Sequence, residues 1–136
     1  MKQDIIDVYA MRVEDGIVYR GKIEKIENSL EKLQDFVGGL ITVAHFTQEI
    51  DIVLNDEGKL NNLPLNRVWK SEEEIFDILV GNIFCCRYDE EGNFSSILEE
   101  DIPIIQEMLI PIIGISESTI YLNLEENLPV YKTNMG

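Results

Sequence analysis

The 136 residues, 45% hydrophobic and 27% charged, have the size and composition of one globular domain that buries a core without disulfide or metal support. Eleven Lys and Arg against 26 Asp and Glu give a net charge of −15, which removes the clustered cations that nucleic acids and anionic membranes select. No apolar run approaches the roughly 20 residues of a bilayer span, so neutral ligands, cations or proteins with basic surfaces remain as partners.

Residues 4–12 and 17–23, rich in Ile, Val and Tyr around Glu14-Asp15-Gly16, predict a hairpin. Asn28 then offers an N-cap with Glu31 three residues later, and Leu30, Leu33, Phe36 and Val37 share one face of a helix over 29–37. Gly38-Gly39 supplies its left-handed exit. Residues 40–46 and 50–54 predict an antiparallel strand pair, followed by a turn at Asn55-Asp56-Glu57-Gly58. Residues 63–69 read as an irregular return that anchors Trp69 in the core while Arg67 pairs with a carboxylate.

Ser71-Glu72-Glu73-Glu74 forms a capping box ahead of Ile75, Phe76, Ile78 and Leu79, which predicts a short helix ended by Gly81. The alternative is one long strand over 78–87, bulged at Gly81. Residues 83–88 read as a strand, 89–93 as an acidic turn, and 101–109 as the last helix, with Pro103 in its first turn and Pro111 beyond its end. A strand pair, 112–115 and 119–122, and a loosely held tail over 128–136 complete the chain. The expected fold is α+β: a mainly antiparallel sheet with two or three helices packed on one face, in a single domain over 1–136.

Little of the chain suggests catalysis. The one histidine, His45, lies in an apolar run, where a sheet-face role outweighs that of a ligand or base, and no metal set converges. Cys85 and Cys86 are neighbours whose side chains point to opposite faces of an extended strand, which argues for buried, reduced thiols in the cytoplasm. Gly38-Gly39 follows a helix, whereas a phosphate cradle precedes one. The acidic turns lack the ligand pattern of a calcium loop. No enzyme activity and no cofactor are expected.

The distribution of acids is more distinctive. Glu72, Glu73, Glu74, Asp77, Asp89, Glu90, Glu91, Glu99, Glu100 and Asp101 are opposed within their stretch only by Arg87. They fall at two helix starts and a turn, where acids also serve local structure. Gathered on one rim, they would make a polyanionic edge able to imitate a nucleic-acid backbone before a basic groove.

The stretches "LQDFVGGLITV", "IDIVLNDEGKLNNLPLNRVW" and "DILVGNIF" resemble a small domain family of unknown function carried by phages, plasmids and other mobile elements. The resemblance covers about residues 30–110, on Val37-Gly38-Gly39, residues 55–60 and residues 63–67, and leaves 112–136 as a C-terminal extension. Thr42 departs from the acidic residue expected after the Gly-Gly strand. Some members resemble anti-CRISPR proteins, so the resemblance implies an anti-defence inhibitor in the bacterial host cytoplasm. Its acidic rim would block the nucleic-acid groove of a host defence nuclease, with no direct nucleic-acid or membrane contact. The alternative is a protein that sequesters a nucleotide signal, with Arg67, Lys70 and Arg87 as its cationic ligand-binding candidates. Ile-rich strands such as residues 50–54 also suit a homodimer.

Overall fold

The computed structural model describes residues 3–71, 74–117, 119–123 and 125–132. The chain begins with a long hairpin, Ile5–Met11 (β1) against Lys22–Glu27 (β4), extended at its turn by the small pair Val13–Glu14 (β2) and Ile17–Val18 (β3). The helix Leu30–Val37 (α1) follows. Its N-cap is Ser29, whose Oγ accepts from the Lys32 N–H, and not Asn28, which is buried and donates to the carbonyls of Gln3 and Phe94. Gly38, at φ 80°, closes α1 in the left-handed conformation that a side chain disfavours.

Ile41–His45 (β5) and Ile50–Asn55 (β6) pair antiparallel as the alternation predicts. Leu65–Lys70 (β7) and Ile75–Val80 (β8) form the next hairpin, followed by Ile83–Tyr88 (β9) and Phe94–Ser95 (β10). A 3-10 turn, Glu99–Asp101, leads into Ile102–Met108 (α2), and Leu109–Ser116 (β11) with Thr119–Leu122 (β12) makes the last strand pair. A second 3-10 turn, Glu125–Asn127, opens the C-terminal segment.

The strands form two main antiparallel sheets. The first runs β4-β1-β9-β6-β5, with β10 pairing β9 beside β1; the second runs β12-β11-β7-β8. The central strand β9 is buried on both sides. Ile83 and Cys85 face the core between the two sheets, with Tyr9, Ile52, Leu79, Ile105 and Leu109, while Phe84 and Cys86 face α1 through Leu33, Phe36 and Val37. Alternating side chains of one strand therefore serve two cores, and the adjacent thiols lie on opposite faces.

This corrects the expected α+β arrangement. The fold is mainly β, and the two short α-helices among the described residues lie on opposite faces of the first sheet: α1 covers one, and α2 joins the second sheet on the other. The helix expected from Ile75 is strand β8, because Ile75, Phe76, Ile78 and Val80 are β-branched or aromatic and β7 offers a full ladder to pair with. Gly81, at φ 73°, turns the chain from one sheet into the other, so neither a helix cap nor one bulged strand forms there. The expected irregular return is β7, a central strand of the second sheet. Among the described residues no helix is long and apolar enough to cross a membrane.

Candidate functional site

The aromatic rings of Phe46 and Trp69 pack 5.8 Å apart, and Trp69 meets Phe76 at 6.0 Å. These contacts bring the start of β8 to the same end of the molecule as the start of β6 and the finish of β9, since Ile50 pairs with Arg87. The acids sort by what holds them. Asp101 is buried: its carboxylate takes Arg87 Nε at 2.8 Å and Nη2 at 2.7 Å and accepts the Leu98 N–H at 2.9 Å. These bonds hold the Asp101 carboxyl below the usual range and raise the Arg87 guanidinium. Asp77 pairs with Lys59 in a groove with Leu54 and Asn55, towards the finish of β6, and Asp89 accepts the N–H groups of Asn93 and Glu91, which keep it below the usual carboxylate range and shape its own turn.

Glu74, Glu90, Glu91, Glu99 and Glu100 remain exposed, and among the described residues none of them is in an ion pair. Glu72 and Glu73 lie outside the described residues. One acid that the sequence did not single out joins this end: Glu49, exposed, sits 3.2 Å from Arg87. The signal for it was spatial only, since the β6–β9 pairing sets it beside an arginine far along the chain.

Beside the acids lies an apolar edge. Strand β8 ends the second sheet, and Ile75 and Phe76 are 61% and 59% exposed, next to Glu74. Leu65, Ile78 and Val80 continue a shallow apolar groove, rimmed by Lys59 and Asp77. An edge strand, large exposed apolar side chains and flanking charge thus lie side by side here.

The three cationic candidates do not share a pocket. Arg67 is fully buried, Arg87 is neutralised by Asp101 and Glu49, and half-buried Lys70 borders a groove with Ser71, Glu107 and Met108. Arg67 pairs with a carboxylate, Glu125, through Nη2 at 2.9 Å and Nε at 3.2 Å. It also donates to Asn66 Oδ1 at 2.6 Å and the Tyr19 carbonyl at 2.9 Å. Burial pulls the guanidinium below its usual value, and Glu125 opposes that shift. The other oxygen of Glu125 accepts from the Tyr9 hydroxyl at 2.5 Å and the Gly21 N–H at 3.1 Å.

His45 is an exposed sheet-edge residue whose Nδ1 lies 2.7 Å from the buried carboxylate of Asp51. Burial raises both thiols, Cys85 and Cys86, well above their ordinary range. Among the described residues no cluster of His, Cys, Asp and Glu could hold a metal ion.

Two asparagines of the stretches 55–60 and 63–67 tie distant segments together. Asn55 Nδ2 donates to the Val37 carbonyl at the end of α1, and Asn66 Nδ2 donates to the carbonyls of Met11 and Gly81. The class this defines is a small, mainly antiparallel β domain in which Asn55 and Asn66 bond distant segments and which carries exposed acids beside an apolar strand edge. Residues 8–110 match the family described as Domain of unknown function (DUF3846), and the chain belongs to that family. Comparison with curated proteins and with solved structures finds no match.

Proposed function

We propose that this protein is a non-enzymatic inhibitor of the kind mobile elements direct against host defence. It binds a defence nuclease and covers the groove that would hold nucleic acid. The observation that carries this reading is the conjunction of exposed Glu74, Glu90, Glu91, Glu99 and Glu100, in no ion pair among the described residues, with exposed Ile75 and Phe76 on β8, the last strand of the second sheet. Carboxylates confer steering towards a basic groove, and the apolar pair supplies the desolvated anchor that charge alone does not. The nucleotide-sequestering alternative draws less support, because Arg67 and Arg87 already spend their donors on Glu125, Asp101 and Glu49.

The test is affinity capture from a bacterial host lysate at low and high salt, with purified partner then competed by duplex DNA. Wild-type protein should retain a nucleic-acid-binding protein that salt and DNA both release. Glu74→Lys, Glu99→Lys and Glu100→Lys combined should abolish capture, and Phe76→Ser should weaken it at every salt concentration. Undiminished capture by the triple variant would falsify the acidic-end reading.

A further inference from the structure

The C-terminal segment over residues 125–131 is held as a bound peptide is held. Its charged anchor, Glu125, is buried and accepts four hydrogen bonds, from Arg67 Nε and Nη2, the Tyr9 hydroxyl and the Gly21 N–H. Those donors are set in place by others: Gln106 Nε2 donates to the Tyr9 oxygen at 3.2 Å, which leaves the Tyr9 proton for Glu125, and Asn66 Oδ1 fixes Arg67. Gly21 is required here, since a Cβ would stand 2.3 Å from the Tyr9 ring. Three residues past the anchor, Leu128 fills an apolar notch between Val13 and Val18. Tyr131 then meets the Tyr19 ring edge-on at 5.2 Å and lies under the Arg12 guanidinium at 4.6 Å.

Main-chain bonds complete the grip. The Arg20 N–H donates to the Pro129 carbonyl at 2.8 Å, its side chain reaches the carbonyls of Glu125 and Glu126, and Lys22 Nζ reaches that of Tyr131 at 2.5 Å. An anchor in a charged pocket, a side-chain notch, an aromatic clamp and backbone pairing are the components of peptide recognition. The two sides of this contact also fall on either side of the family boundary. Tyr9, Val13, Val18, Tyr19, Gly21, Asn66, Arg67 and Gln106 all lie within the family segment 8–110, whereas Glu125, Leu128 and Tyr131 lie beyond it.

We propose that the family segment carries a peptide-binding groove, specific for a segment that opens with a 3-10 turn at a glutamate and places a leucine three residues on and a tyrosine three further. In this chain its own residues 125–131 occupy the groove in cis. The site is separate from the acidic end and independent of the function proposed for it.

The full chain with Glu125→Ala and Leu128→Ala combined loosens the cis segment. A synthetic peptide of residues 125–131, titrated into this variant, should shift the backbone amide resonances of Tyr9, Gly21 and Arg67 saturably. The same peptide with Glu125→Ala should bind at least about 30-fold more weakly, the loss expected when one member of a buried charge pair is truncated. Absence of shifts, or equal binding by the two peptides, overturns the proposal. Hydrogen exchange of the wild-type chain supplies an arm that does not depend on the variant folding. The Leu128 N–H, bonded to the Glu125 carbonyl, should exchange faster than the amides of β1 and β9, through release of the segment from an otherwise folded domain. Exchange of that amide only with global unfolding removes the groove from the molecule as a separable site.

Discussion

Asp101 shows how much a single residue's meaning depends on its partner. In sequence it closes a run of three acids and reads as part of a charged rim; in the fold it is buried and bidentate to Arg87. A carboxylate whose folded pKa lies below its unfolded value, about 3.9, adds stability above that value and loses it as pH falls through the folded one. Stability should therefore drop as pH falls below about 4, and Asp101→Asn should flatten that limb while lowering stability at neutral pH by about 2 kcal/mol. Urea denaturation of both proteins across the acid range measures this, and an unchanged acid limb would mean that other carboxylates govern it. Arg67 was legible by type, since a lone arginine beside a core tryptophan needs an anion. Its anion, Glu125, was not, because nothing local joins residues so far apart.

Elements were legible where local signals agree with tertiary demands. Helix α1 has an apolar face, a capping serine and a terminal glycine, so periodicity and punctuation point to the same element. Gly38→Ala should cost about 1 kcal/mol, because alanine pays in strain for a φ of 80° that leaves ample room for its methyl group; thermal melting of the variant reads it directly. Strand β8 carries signals that conflict. Its apolar letters fit one face of a helix, and what decides for strand is β7 alongside it. Strand β7 itself was hidden by Asn66 and Arg67, polar residues whose partners, Met11, Gly81 and Glu125, become visible only when the sheets are stacked. The homodimer suggested by residues 50–54 has no free edge to use there, because β6 lies between β9 and β5.

At the scale of the whole molecule, a net charge of −15 on so small a chain means self-repulsion that folding intensifies. Melting temperature should rise as sodium chloride is raised from low to physiological concentration, through screening of the exposed carboxylates. A melting temperature that falls with salt would show that the ion pairs of Arg12, Arg67 and Arg87 outweigh the repulsion. The sequence by itself determined the acidity, the antiparallel pairs β5–β6 and β11–β12, helix α1 and the opposed cysteines, because each follows from composition or from neighbours within a few residues. Only the tertiary structure decided that the two helices lie on opposite faces, that some acids are locked and others free, and that the C-terminal segment seals Arg67. Those outcomes rest on contacts between residues tens of positions apart, and long-range pairing leaves no mark on the local pattern of letters.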